Sequence, residues 1–207
     1  MSSPVPEPAE FYGERLPAQF NRALDAQEAL GDEGRKVYDG MRAVDATIRV
    51  EVEGEGGGTF HLNIAGGRMS ADAADAHPPF LTLFQDRRAF DRIAREAGDS
   101  AMALLGGLSG LAGEMKLTKA RIDNLVFVNG LVHFEVTGDD GFVLRTHFGS
   151  DPLPAAPDTT ITVDEAAYQD LRSGRLDPQQ AFMNQQIVVE GDMQMAMQLA
   201  LAAIAPD

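Results

Sequence analysis

The segment that most constrains the fold of this chain is Met193–Ile204, which is apolar on nearly every side of the helix that it predicts. It contains no Pro or Gly and consists of strong helix formers, with Gln194 and Gln198 as its only polar residues. Helices that are apolar all round are normally buried. With 12 residues the segment is too short to span a bilayer, which takes about 20. It therefore has to close over an apolar interior, either the protein's own core or a bound apolar ligand.

The residues before this segment predict how it is positioned. Gln186–Glu190 is rich in β-branched residues, and Gly191 interrupts the extended run. Asp192 is a good helix N-cap, because its carboxylate can accept a hydrogen bond from a free N–H of the first turn. The sequence thus predicts a short strand, a break and a capped closing helix.

A longer set of residues surrounds the closing helix in a characteristic order. The set is Asp164-Glu165-Ala166-Ala167-Tyr168-Gln169-Asp170-Leu171, Ser173-Gly174-Arg175-Leu176-Asp177-Pro178, Ala181-Phe182-Met183, Ile187-Val188-Val189-Glu190-Gly191-Asp192-Met193 and Ala196-Met197. It resembles the C-terminal half of the sterol carrier protein type 2 family, and Gly54–Leu62 is similar to the first hairpin of that family. The resemblance implies an α+β fold of the sterol-carrier type, in which a twisted, mostly antiparallel sheet is covered by helices that enclose an apolar tunnel.

Composition narrows the class of protein. The chain has 207 residues, of which 44% are hydrophobic, so it can bury a core as one domain or two small ones. Its net charge of -15 argues against nucleic acid or anionic membranes as partners. It has no cysteine, which excludes disulfides and thiol chemistry. We predict an acidic, cytoplasmic protein with no stable membrane insertion and no cofactor, and a disordered tail at residues 1–15, because the first ten residues are rich in Pro, Ser and Glu.

The middle of the chain contains two similar arrangements of strands. Apolar and polar residues alternate on both sides of a glycine-containing turn, first near residues 48–64 and again near 132–148, which predicts two β-hairpins. Val50–Gly54 corresponds to Phe134–Gly138, 84 residues later, and Ala89–Ile93 corresponds to Ala167–Leu171, 78 residues later. We interpret this as a diverged internal repeat, with halves at residues 16–125 and 126–207 that share one core. The alternative is that hairpins followed by helices recur in any α+β chain.

The candidate ligand-binding residues are apolar side chains of the second half. They are Phe134, Phe142, Leu144, Phe182, Met183, Met193, Ala196, Met197, Ala200 and Leu201. Met fills irregular apolar space and tolerates varied shapes. We expect Met193, Met197, Ala200, Leu201 and Ile204 to face the tunnel, and Gln194 or Gln198 to hold the polar end of a ligand. Ordinary core packing is the alternative for each residue taken singly.

No catalytic or metal-binding arrangement is recognisable. Gly107–Leu111 begins like a nucleophile elbow, but Leu111 stands where a Gly is required and the flanking residues 99–111 predict a helix, not a strand. His61, His133 and His147 fall on the polar sides of strands, where we expect them to be solvated and not metal ligands. We therefore predict that the protein is not an enzyme.

The function predicted from these observations is the non-catalytic binding, and the transfer, of a lipid in an apolar tunnel. The candidate lipids are a sterol, a fatty acid, a fatty acyl-CoA and a phospholipid. One alternative is an interaction or dimerisation module that uses the same apolar surface, for example in a homodimer. Another is a small isomerase with a cavity, which would need a buried Asp paired with Tyr donors.

Overall fold

The part of the chain that the structure describes contains one sheet of eight β-strands, in the order β3-β2-β1-β4-β6-β5-β7-β8. The structure is a computed structural model that describes residues 5–97, 116–149 and 151–204, without the side chains of Ala97, Pro178 and residues 200–204. The helix predicted at residues 99–111 lies outside the described residues. The strands are β1 (Ala46–Glu53), β2 (Gly58–Ala65), β3 (Arg68–Asp72), β4 (Leu81–Asp86), β5 (Gly130–Thr137), β6 (Phe142–Phe148), β7 (Thr159–Asp164) and β8 (Ile187–Gly191).

The helices of the described residues precede, connect and succeed these strands. They are α1 (Pro8–Glu10), α2 (Leu16–Ala29), α3 (Arg35–Arg42), α4 (Arg87–Ala97), α5 (Lys119–Val126), α6 (Glu165–Arg172), α7 (Pro178–Met183) and α8 (Met193–Ile204), with a π-helical segment at Phe11–Arg15 between α1 and α2. Five strand pairings are antiparallel, while β1 with β4 and β5 with β7 are parallel. The predicted α+β class with a mostly antiparallel sheet is confirmed.

The two faces of the sheet differ in polarity, because residues alternate between faces along each strand. The core face carries a continuous apolar cluster that includes Ile48 and Leu83 from the first half and Phe134 and Val163 from the second. The opposite face carries the three strand histidines. Asp75, in the loop from β3 to β4, lies 2.6 Å from His61 (Oδ1 to Nδ1), and His147 is only 6% exposed. The expectation that these histidines are solvated is therefore wrong for His147.

The turns of the two predicted hairpins have the same geometry. In the first turn Gly57 N donates to Gly54 O at 3.1 Å, and in the second Gly141 N donates to Gly138 O at 3.0 Å. Gly54 and Gly138 have φ of 101° and 129°, which side-chain-bearing residues rarely adopt. The glycine-containing turns therefore fix the register of both hairpins.

The two halves also match in the strand and helix that come after the hairpin. In each, the first hairpin strand pairs in parallel with a later strand, β1 with β4 and β5 with β7. That strand ends in an Asp that caps the next helix: Asp86 Oδ1 accepts from Ala89 N, and Asp164 Oδ1 accepts from Ala167 N, both at 2.7 Å. These parallels support the division into two related halves, which stays a proposal.

The expectation of a disordered tail at residues 1–15 is wrong for the helical part of that segment. Phe11 and Tyr12 are 2% and 0% exposed and lie against Phe90, with ring centroids at 5.6 and 5.8 Å. The amide of Gln85 on β4 donates to the Tyr12 hydroxyl. Two adjacent aromatic residues thus anchor a segment that is otherwise rich in Pro and Glu, and bury it over the first half.

A group of polar and charged side chains joins α4 to α6, across the middle of the sheet. Arg92 on α4 donates to Glu96 and to Glu165. Tyr168 on α6 donates to Glu96 Oε2 at 2.7 Å, and Arg172 lies 3.0 Å from the same atom. Burial by itself would raise the pKa of Glu96, but the hydrogen bonds from Tyr168 and Arg92 and the charges of Arg172 and Arg92 outweigh burial, so that this pKa lies below its usual range.

We expect Glu96→Ala to lower the free energy of unfolding by about 2–3 kcal/mol at pH 7, because its partners lose a charged acceptor. The pKa of Glu96 is lower in the folded state, so its contribution is complete above the unfolded pKa of about 4.3 and is lost as the pH falls through the native value. Urea unfolding at several pH values measures this, with exposed Glu33→Ala as the control. A difference from the wild type that stays constant into acid would contradict the assignment.

Candidate functional site

The closing helix α8 starts as the sequence predicts. Gly191 has φ of 88°, and a Cβ there would collide with the backbone carbonyl of Asp158. The Asp192 carboxylate accepts from Gln194 N at 2.9 Å and from Met195 N at 3.0 Å, which caps the helix. Asp192 N also donates to Asp158 O at 2.8 Å. The start of α8 is thereby fixed to the segment that leads into β7.

The side of α8 that faces the interior differs from the predicted one. Met195 is 4% exposed and Leu199, one turn later, is half-buried, whereas Met193 and Met197 are 44% and 60% exposed. Residues two positions apart on a helix point about 200° apart, so the two pairs lie on opposite sides. The prediction that Met193 and Met197 face inward is therefore wrong. A segment that is apolar all round has no periodicity from which the buried side could be read.

The other predicted residues of α8 divide into three groups. Ala196 is half-buried. The side chains of Ala200 and Leu201 lie outside the described residues. Gln194 and Gln198, the candidates for holding a polar ligand end, are exposed.

The short helix α7 also exposes the residues that were expected to line the site. Phe182 and Met183 are 47% and 75% exposed, while Ala181 is fully buried. Gln186 N donates to Ala181 O at 2.8 Å, and Gln185 adopts a left-handed φ of 58°, so the chain turns sharply out of the helix into β8. Among the side chains of α7 that the structure describes, only Ala181 is buried, and the larger ones are exposed. Whether Phe182 and Met183 contact a ligand stays a prediction.

The predicted residues on the sheet do lie in the interior. Phe134, Phe142 and Leu144 are 6%, 5% and 2% exposed. The ring of Tyr168 on α6 lies 5.4 Å from that of Phe142 and 6.4 Å from that of Phe134. These side chains form the core of the second half, and whether they also contact a ligand stays a prediction.

Exposure rises along the core face toward the β8 edge of the sheet. Phe134 is paired with Ile161 on β7, and Ile161 with Val189 on β8, so all three lie on one face. Phe134 is buried, whereas Ile161 and Val189 are half-buried, as is Ile187 on β8. Helix α8 contacts β7, β8 and α5, and it places half-buried Leu199 on this side, with Leu125 of α5 also half-buried. We call Leu125, Ile161, Ile187, Val189 and Leu199 the edge site.

The corresponding region of the first half is filled by the chain itself. Val50 and Leu83 are 2% and 1% exposed, and the N-terminal segment adds Tyr12, Phe20 and other apolar side chains that are 0–2% exposed to the same core cluster. Partly covered apolar side chains on β7 and β8 are the feature in which the second half differs. The edge site is therefore a place in the described part of the structure where apolar side chains of the core face are only partly covered.

Sequence reasoning missed all five edge-site residues. The alternation of Ile161 and Val163 with polar Thr160 and Thr162 is a period-two signal that could have placed β7 on the core face, whereas Ile187–Val189 is apolar throughout and gives no such signal. No comparable signal was available for Leu199, which lies in the uniformly apolar helix. The described residues contain no group of three or more His, Cys, Asp or Glu side chains that could hold a metal ion. Within that same part of the chain, no helix is both long and apolar enough to cross a membrane.

Comparison with known proteins gives one family match. Residues 114–203 match the model of the SCP-2 sterol transfer family, which covers α5 to α8 and the edge site. No curated protein sequence matches the chain.

Several solved structures are similar to the chain. Sterol Carrier Protein 2 Like 2 from Aedes aegypti is 21% identical, with a TM-score of 0.29 over 35% of this chain and 72% of that one. Sterol Carrier Protein 2 from Yarrowia lipolytica is 10% identical, with a TM-score of 0.22 over 97% and 95%. Sterol carrier protein domain 2 of Helicoverpa armigera is 17% identical, with a TM-score of 0.21 over 99% and 98%. These similarities carry no argument, and the family match is confined to residues 114–203.

Proposed function

We propose that this chain, whose residues 114–203 belong to the SCP-2 sterol transfer family, binds one lipid at the edge site and transfers it without catalysis. The observation that carries the proposal is the contrast between the two halves. Val50 and Leu83 on the core face of the first half are buried, while Ile161, Ile187 and Val189 on β7 and β8 are only half-covered. Helix α8 is fixed at its start by Asp192 and forms one wall of the site.

Burial of apolar surface supplies the affinity in this proposal. A lipid that loses about 300 Å² of apolar surface to the protein would gain roughly 7–8 kcal/mol at about 25 cal/mol per Å². Ordering of the ligand and of the site reduces that gain. Micromolar dissociation constants correspond to about 8 kcal/mol, so micromolar or weaker binding is the range to expect. Contacts of this kind distinguish poorly between chains that differ by one methylene.

Neighbouring residues on β8 provide a matched test. Val189 lies on the core face, half-buried, and Val188 points to the opposite face, where it is 46% exposed. Val189→Asp should weaken binding of the fluorescent sterol dehydroergosterol at least tenfold, because it places an unpaired carboxylate in the apolar site. Val188→Asp carries the same change of charge on the same strand and should leave binding within twofold.

Both variants have to melt like the wild type for the comparison to hold, since the mutated strand lies at the sheet edge. Equal binding by the two variants would contradict the edge site. Mass spectrometry of protein taken directly from cells should in addition show a lipid bound one to one. A stable dimer without lipid would favour the interaction module instead.

A further inference from the structure

The segment that encloses the edge site contains no basic residue. From Leu176 to the last residue, Asp207, the sequence has no Lys, Arg or His. This segment includes α7, β8 and α8. Its charged residues are all acidic, and Asp177, Glu190 and Asp192 among them are exposed. Helix α7, strand β8 and helix α8 thus offer a ligand at the edge site no cation, whereas α5, which contributes Leu125, carries Lys119 and Arg121.

The helix N-termini near the site are already occupied by carboxylates. Free N–H groups and the helix dipole make a helix N-terminus a common binding place for anions. Here Asp164 caps α6, and Asp177 Oδ1 accepts from Gln179 N at 2.9 Å and Gln180 N at 3.1 Å at the start of α7. Asp192 caps α8. An anionic ligand would have to displace these carboxylates or approach against their charge.

Cations near this segment are engaged: Arg121, one turn before Leu125 on α5, has an interaction of its own, and three other cations are paired with acidic residues. Arg175, which lies just before the segment without basic residues, is paired with Asp170 at 2.6 Å. Arg172 is paired with Glu96 at 3.0 Å. Lys119 on α5 is paired with Asp123. A ligand carboxylate or phosphate would therefore compete with an existing intramolecular ion pair at each of these side chains.

The geometry points to a lipid whose polar end carries no negative charge, an inference that rests on the proposed lipid-binding function. Seven amide side chains of the segment offer uncharged donors and acceptors: Gln179, Gln180, Asn184, Gln185, Gln186, Gln194 and Gln198. Hydroxyl, ester and amide ends suit such surroundings. Fatty acid anions, acyl-CoA and acidic phospholipids do not, because all charged side chains of the segment from Leu176 onward have the same sign of charge as these ligands.

Three ligands with one acyl chain test this inference. Oleyl alcohol, oleate and oleylamine share the same C18 chain and differ in the charge of the polar end. Displacement of dehydroergosterol should show that oleate binds at least tenfold more weakly than oleylamine at pH 8 and low ionic strength, with oleyl alcohol also tighter than oleate. The difference in affinity between oleate and oleylamine should decrease in about 0.5 M salt, because salt screens interactions between exposed charges.

Substitution of an exposed amide on α8 provides the complementary measurement. Gln194→Lys should strengthen oleate binding several-fold and leave oleyl alcohol unchanged. Glu55→Gln is the control, since it also raises the net charge by one but lies in the β1–β2 turn. That turn is five strands from β8, about 24 Å at 4.8 Å per strand.

The outcomes separate this inference from the proposal on which it rests. If oleate binds as tightly as oleylamine or more tightly, the inferred charge selectivity is wrong, and the lipid-binding proposal is unaffected. Equal gains from Gln194→Lys and Glu55→Gln also overturn it, because net charge alone would then set the affinity. If none of the three ligands displaces the sterol probe and the probe itself does not bind, the lipid-binding proposal fails and the selectivity with it.

Discussion

Met195→Asp should lower the free energy of unfolding by about 3 kcal/mol or more and remove lipid binding. Met195 is 4% exposed and belongs to the core cluster, so the substitution deletes buried apolar contacts and places a carboxylate where its environment is apolar. The helix would have to lift from β7 and β8 to hydrate the charge. Urea unfolding and titration with dehydroergosterol measure the two effects.

Met197→Asp is the matched control for this prediction. It makes the same chemical change two residues later on the same helix, at a side chain that is 60% exposed. Its effect on stability should stay within about 0.5 kcal/mol, as for most surface substitutions. If Met197→Asp destabilises the protein more than Met195→Asp does, the orientation of α8 described above is wrong.

Tyr12→Ala should lower the free energy of unfolding by about 3–5 kcal/mol, in the range of other large buried aromatic side chains. Tyr12 is fully buried, its ring lies 5.1 Å from Phe60 and 5.8 Å from Phe90, and Gln85 donates to its hydroxyl. Because Tyr12 fills the first half, its loss should leave lipid binding at the edge site of the remaining folded protein unchanged.

Exposed Glu14→Ala, on the same π-helical segment, should be neutral and serves as the control. Tyr12→Phe separates packing from hydrogen bonding. It keeps the ring and leaves the buried Gln85 amide without its acceptor, which should cost about 1–3 kcal/mol. If Tyr12→Ala were as stable as the wild type, the N-terminal segment would be the loose tail that its composition suggests.

The hairpins could be predicted because interactions between residues close together in the sequence determine their strands and turns. Alternation between apolar and polar residues assigns each strand residue to a face, and glycines such as Gly54 and Gly138 mark turns that require a positive φ. The cap at Asp192 was equally local. These features depend on residues a few positions apart, which is the distance over which a single sequence is informative.

The orientation of α8 and the burial of the N-terminal segment depend on contacts with residues that are far away in the sequence. Met195 and Met197 are chemically identical, so only the position of β7, β8 and α5 distinguishes them. The burial of Phe11 and Tyr12 could not be predicted from the Pro- and Glu-rich residues around them, because their partners Phe60 and Phe90 lie about 50 and 80 residues further along the chain. The ion pairs between α4 and α6 likewise could not be predicted from sequence patterns, because they join residues that are far apart in the sequence.

The order of the strands has a consequence for how the sheet ends. In the middle of the sheet β6 pairs antiparallel with β4, and at one border β8 pairs antiparallel with β7. Strand β8 therefore occupies the position on β7 that the hairpin of the second half, through β6, occupies on β4. At the other border β3 lies antiparallel to β2, as β4 does to β6. Strands β3 and β8 thus occupy the two borders at which a further copy of the same strand arrangement could otherwise pair with the sheet. A chain shortened before Ile187 would present the bare border of β7 and should pair with a second copy of itself through it.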